Sequence, residues 1–147
     1  MAEMLYGRNT VYEALRAGRR QCSRLLIADS IRDSRTLDGI LRLARSRRVP
    51  IERVRRRALD QLVAGNHQGI ALEAGDFPYV DLDEILIQAY SHGSVPLLLL
   101  LDLLQDPQNL GSLLHTADAT GVHGVILQER RAVGVTPSVV NASSGAV

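Results

Sequence analysis

The stretch Leu97–Ile126, LLLLLDLLQDPQNLGSLLHTADATGVHGVI, decides the fold class. A run of leucines long enough for one buried strand ends in a polar turn, Asp102–Asp106. A helix opens directly from that turn, and a second apolar strand follows Gly121 and His123. That is a βαβ unit, and its polar residues gather at the carboxyl end of a strand, where open α/β sheets bind ligands.

Outward from this unit, strands are expected at 97–101 and 123–127, with a helix over 110–120 between them. A last helix enters through Thr136 as cap and Pro137 at its first position. Two parallel strands and two helices cannot bury both faces of a sheet, so residues 95–147 are expected to form an incomplete domain. Residues 77–94 are read as a linker rich in turn formers, with helical spacing over 81–90. Residues 1–76 show a second α/β rhythm. A helix over 10–17 is capped by Asn9 and closed by Gly18, and a strand runs over 23–28. An amphipathic helix over 34–48 is stopped by Pro50, followed by a strand over 51–54, a helical turn or two over 58–64, and a strand over 69–74.

Charge divides along the same boundary. Residues 1–60 hold fifteen of the seventeen basic residues against seven acids, a balance of +8, whereas 61–147 hold two against nine, a balance of −7. Such asymmetry points the basic half towards a polyanion. All the basic residues are arginine, whose planar fork binds phosphate and stacks on bases. Seven of them, Arg45, Arg47, Arg48, Arg53, Arg55, Arg56 and Arg57, fall within thirteen residues. A solvated basic face and a nucleic-acid footprint both accommodate that run.

No apolar stretch reaches the length of a membrane span, and Arg8, Glu13 and Arg16 interrupt any signal-peptide core. Cys22 is the single cysteine, so no disulfide forms within the chain, no metal site is expected, and a reducing cytoplasm fits best. The chain lacks a phosphate loop, a dinucleotide fingerprint, zinc-ligand spacing and a nucleophile elbow.

Within the decisive stretch, Pro107 sets a turn, Asn109 can cap the new helix, and Gly111 lets another backbone come close. The free N–H groups of the helix's first turn are expected to attract a phosphate oxygen. Leu110, Leu113, Leu114 and Ala117 form the buried stripe, leaving Gly111, Ser112, His115 and Asp118 on the other face. His115 is then either a surface partner of Asp118 or an acid or base near a bound anion. Asn109 and His115 are expected to face a common cleft at the start of the helix. His67-Gln68-Gly69 precedes a strand as a turn.

Four segments, in order and at matching spacing, resemble the SpoU/TrmH family of RNA 2′-O-ribose methyltransferases, in its ribosomal-RNA branch. They are Tyr6–Val11, His67–Ile70, Asp106–Gly111 with Thr116–Val122, and Asn141–Ala146. The resemblance implies a small ribosomal-protein-like α/β substrate-binding domain over 1–76, followed over 95–147 by the first part of an α/β knot (SPOUT-type) methyltransferase domain. It implies RNA contacts by Arg8, Asn9, Arg53, Arg55, Arg56, Arg57, His67 and Gln68. It further implies that Asn109 orients the target ribose and that His115 stands where the family carries a catalytic arginine. The implied methyl donor is S-adenosylmethionine, bound by motifs expected beyond residue 147, so this 147-residue species is expected neither to bind it nor to be active. The implied partner is ribosomal RNA, and the implied state of the longer protein is a homodimer. A non-catalytic RNA-binding module of the same fold is the alternative, and a protein-interaction domain with an incidental basic face is the third reading.

Overall fold

A computed structural model describes residues 2–143 and Ala146. The chain divides into two compact units, Met1–Phe77 and Pro78–Val147. The first contains β1 (Glu3–Tyr6), α1 (Arg8–Ala17), β2 (Cys22–Ala28), α2 (Arg35–Ser46), β3 (Ile51–Val54), α3 (Arg56–Leu62) and β4 (Ile70–Ala74). The second contains α4 (Leu82–Ser91), β5 (Leu98–Leu101), α5 (Pro107–Ala119), β6 (Gly124–Leu127) and α6 (Pro137–Ala142).

In the first unit the four strands lie in the order β1-β4-β2-β3. β4 runs antiparallel to both β1 and β2, and β3 runs parallel to β2. β1, β2 and β3 therefore point the same way, and their carboxyl ends meet the amino end of β4. The registers agree: Tyr6 pairs with Ala71, Ile27 with Ile70, and Ala28 with Val54. Two side-chain sets alternate along β2. Leu26 and Ala28 join Ala71 of β4 beneath Leu59 of α3 and Val63 just after it. Leu25 and Ile27 point to the other face, where α1 and α2 bring Val11, Leu15, Leu37 and Ile40, all buried. α3 is only seven residues long and covers part of its face. Further along that face the sheet is polar, with Arg24 of β2 bridging Glu73 of β4 and Glu52 of β3. The hydrogen bond that Arg24 Nε donates to the Glu73 carboxylate raises the Arg24 pKa and keeps this strut charged.

β1 is a strand that periodicity does not announce, because only Leu5 of its four residues is buried and its pairing partner lies some seventy residues on. The helix starts also differ from expectation. α1 begins at Arg8 after Gly7, so Asn9 lies inside the helix and is not its cap. α2 begins at Arg35, one residue later than expected, because Ser34 is its cap, with Oγ accepting from Leu37 N at 3.2 Å.

In the second unit β5 and β6 pair in parallel, Leu98 with Gly124 through Leu101 with Leu127. α5 and α6 pack together, and Thr136 caps α6 as expected. Residues 78–94 contribute to this unit. Tyr79 Oη accepts from Val135 N at 2.8 Å, and Ile85 of α4 covers Gly124. No residue of β5 or β6 is fully buried, and Leu100 is 70% exposed, so this pair of strands lacks the cover a parallel sheet requires. No helix among the described residues is long and apolar enough to cross a membrane.

Candidate nucleic-acid interface and candidate active site

Strand direction brings four separate segments to one edge of the first sheet. Arg8 and Asn9 follow β1, the loop 29–34 follows β2, Arg55 to Arg57 follow β3, and His67-Gln68-Gly69 lead into β4. All eight residues expected to touch RNA lie in or beside these segments, Arg53 being one residue short of the end of β3.

Their roles are unequal. His67 is 3% exposed, and both ring nitrogens are engaged within the fold. Nδ1 accepts from Gly69 N at 2.9 Å, which leaves Nε2 to donate to Asp60 Oδ1 at 2.8 Å. With both ring nitrogens engaged, His67 braces the turn from inside the fold. Gln68 adopts a left-handed backbone, φ 52, braced by its N–H donating to Asn66 Oδ1 at 3.2 Å. Its own Oε1 then accepts from Arg8 N at 3.0 Å, taking up a free donor of the first turn of α1. Gly69, φ 82, completes the turn, and a side chain there would combine a strained backbone with contact against Ile31. Arg8 is half-buried and staples the edge, donating from Nη1 to Ser34 Oγ at 2.7 Å and from Nη2 to the Arg32 carbonyl at 3.0 Å. These acceptors are neutral, so its charge stays uncompensated.

Arg53, Arg55, Arg56 and Arg57 are exposed, and their side chains have no partner among the described residues. Three of them occupy the cap and first turn of α3, and that first turn contains no acid. Positive charge is disfavoured at that end of a helix by the backbone dipole. With Arg8 and Arg32, six arginines meet three aspartates here, Asp29, Asp33 and Asp60. An anionic ligand relieves both kinds of repulsion.

The thirteen-residue arginine run does not form one patch. Arg45, Arg47 and Arg48 end α2 and precede β3, at the opposite end of the sheet. There Arg47 Nη2 donates to the Arg16 carbonyl at 3.1 Å. Nearby Arg20 is paired with Glu3 at 2.7 Å, its guanidinium 5.0 Å above the Phe77 ring.

In the second unit the loops after β5 and β6 are tied to each other. Val133 N donates to the Leu104 carbonyl at 2.8 Å, Leu103 N to Gln128 Oε1 at 3.3 Å, and Gln105 Nε2 to the Arg131 carbonyl at 3.4 Å. Asp106, not Asn109, caps α5: its Oδ2 accepts from Asn109 N at 2.9 Å, with Pro107 just inside the helix. The carboxylate satisfies one first-turn N–H and offsets the positive dipole end, which makes a phosphate less favourable at this terminus. Gly111 is buried, contrary to its expected outward face. A Cβ on it would lie 2.8 Å from the Ala142 backbone carbon and 2.9 Å from Ser143 N, so its lack of a side chain is what admits α6.

Asn109 and His115 are both exposed, and His115 has no hydrogen-bond partner among the described residues. Six helical residues separate them by about 9 Å in rise and about 120° around the axis. They stand on adjoining faces of α5 rather than on one stripe. Arg130 and Arg131, the only basic residues of the second unit, lie on the loop after β6, at the same carboxyl edge as the start of α5. Sequence reasoning passed over them, though their place just beyond a parallel strand was the available signal. Of the motif Asn141–Ala146, Ser144 and Gly145 lie outside the described residues.

A bound S-adenosylmethionine needs an enclosure for a nucleoside and a charged amino acid. The described residues do not complete one. Two half-covered strands and exposed flanking loops give part of a floor and no walls.

The fold is that of the SPOUT methyltransferases, as two solved structures attest. The SpoU methyltransferase AviRb of Streptomyces viridochromogenes, solved with AdoMet, is 25% identical, with a TM-score of 0.70 over 97% of this chain and 51% of its own. An rRNA methyltransferase of Sinorhizobium meliloti gives a TM-score of 0.72 at 20% identity, over 99% of this chain and 51% of its own. The family model for RNA 2′-O ribose methyltransferase substrate binding matches residues 4–80, and that of the SpoU rRNA methylase family matches 96–147. The chain belongs to the SpoU/TrmH family. YacO of Bacillus subtilis (strain 168), named for the TrmH family of tRNA/rRNA methyltransferases, is 36% identical over 145 residues, covering 99% of this chain and 57% of YacO. A protein of the same family name from Staphylococcus saprophyticus is 38% identical over 144 residues. The chain thus spans little more than half the length of these relatives.

Proposed function

We propose that this chain is the RNA-binding unit and the first βαβ unit of an S-adenosylmethionine-dependent RNA 2′-O-ribose methyltransferase acting on ribosomal RNA. The observation that carries the RNA reading is the edge of the first sheet, where unpaired Arg53, Arg55, Arg56 and Arg57 stand at a helix start without an acid. Such a surface is stabilised by phosphate and suits guanidinium forks. The family model matching residues 4–80 favours the ribose reading, and the one matching 96–147 favours ribosomal RNA. A homodimer is the proposed working state of the whole protein.

On α5, Asn109 offers an amide that donates to and accepts from a ribose. The 2′-hydroxyl is a weak nucleophile and must shed its proton as it attacks, and His115 is the proposed acceptor. Imidazole cannot fork a phosphate as arginine does, so a base is the role left to it. S-adenosylmethionine supplies an electrophilic methyl group when bound. No further step is assigned to it, because the described residues do not enclose it.

The test is methyl transfer from labelled donor to ribosomal RNA by the whole protein, beside His115→Arg and His115→Ala. Equal loss in both variants is expected for a base. Gain in His115→Arg marks a degraded arginine site and ends the base assignment. Histidine at this position favours a second reading, a non-catalytic RNA-binding module, for which the whole protein binds RNA and transfers no methyl group.

A further inference from the structure

Arginines beyond the sheet edge are also unused. On the outer side of α2, Arg35, Arg42 and Arg45 are exposed and line, with Asp38 and half-buried Leu41, a shallow concavity of about 440 Å³. Asp38 lies three residues from Arg35 and four from Arg42, spacings that commonly form ion pairs, yet neither pair is made. None of the three guanidinium groups donates to any group among the described residues. By contrast Arg8, Arg16, Arg20, Arg24 and Arg47 all have partners. The helix supplies its own geometry: Arg35 and Arg42 are about 10 Å apart along the axis and within about 20° of each other, and Arg45 follows about 4.5 Å on. The inner side of α2 is fixed by Leu37, Ile40 and Ala44, and by Gly39 against the Tyr12 ring, so the row is held on a rigid support. It also starts at the edge already described, since Arg8 Nη1 reaches the Ser34 cap of α2.

We infer that the outer side of α2 is a second RNA-backbone contact, a track of phosphate-binding arginines that leads away from the sheet edge along about 15 Å of helix. The inference rests on the RNA reading of that edge and extends it. It commits to RNA, not an acidic protein, for two reasons. The arginines are spaced along a line and separated by helical turns, as a continuous polyanion needs. The face is also nearly free of apolar side chains, which a protein interface would require at its centre.

The test is filter binding of a ribosomal-RNA hairpin transcript to the 147-residue chain across a salt series. The proteins compared are the unaltered chain, Arg35→Gln/Arg42→Gln/Arg45→Gln, and Arg55→Gln/Arg56→Gln/Arg57→Gln. Glutamine keeps helix propensity, and unfolding curves check the fold. Three lost phosphate contacts should make the slope of log K against log salt shallower by about two to three for the α2 variant. A single Arg42→Glu change should shift it by about one or more in the same direction. An α2 variant with unchanged slope and affinity, beside a sheet-edge variant that loses both, overturns the track and leaves the edge reading standing. Failure of the unaltered chain to bind the hairpin overturns both. Polyglutamate competing as well as RNA overturns the commitment to RNA.

Discussion

Replacing His67 by alanine tests whether this signature residue works inside the fold. Its Nδ1 is the acceptor for a buried Gly69 N–H, and its Nε2 donates to Asp60. Losing the acceptor strands the amide, at about 1–3 kcal/mol. Asp60 is 56% exposed and rehydrates readily, so the Asp60 bond adds about 0.5 kcal/mol. Lost packing at a site 3% exposed brings the total to about 2–4 kcal/mol. For a unit of this size that lowers Tm by about 10–20 °C. Urea unfolding followed by circular dichroism measures it. His67→Asn retains a side-chain acceptor and should lose less. Stability within about 0.5 kcal/mol of the unaltered chain, together with lost RNA binding, would refute the reasoning and make His67 an RNA ligand.

Gly111→Ala gains about 1 kcal/mol of helix propensity but forces a Cβ onto the Ala142 and Ser143 backbone. Overpacking should win, leaving a net destabilisation of about 1–2 kcal/mol, while exposed Ser112→Ala changes stability by less than about 0.5 kcal/mol. Asp106→Ala removes the α5 cap and should cost about 1 kcal/mol in the same unfolding assay, whereas Asn109→Ala leaves the cap intact. Burial pushes the Cys22 thiol up against the opposing charges of Arg47 and Arg20, so less thiolate is present than in an ordinary cysteine. Iodoacetamide should therefore modify it slowly at neutral pH and faster as pH rises. Rapid labelling of the folded chain at neutral pH contradicts that environment.

Strong periodicity made most of the fold legible. Leu37, Ile40, Leu41 and Ala44 marked α2, although Leu41 is only half-buried and the helix starts one residue after Ser34. The two strands around the Asp106–Gly111 turn came from apolar runs bounded by turn residues. What sequence concealed were effects acting across distance. β1 is a short strand with one buried side chain, defined by β4. The first N–H of α1 is satisfied by Gln68, sixty residues away, so the nearby Asn9 attracted a role it does not have. At α5 Asn109 is the expected cap, but Pro107 at the first helical position makes Asp106 the cap. The arginine run was visible, but only strand direction separates Arg55, Arg56 and Arg57 from Arg45, Arg47 and Arg48. Gly111 illustrates the same limit. Its need for a close neighbour was readable, and the side on which α6 approaches was not.

The most direct measurement is a backbone-amide NMR titration of the 147-residue chain with a structured ribosomal-RNA transcript, at low and at physiological salt. The sheet-edge interface predicts shifts centred on residues 7–9, 53–57 and 68–69 that weaken as salt is raised. Shifts confined to the second unit, or none at low salt, would contradict it.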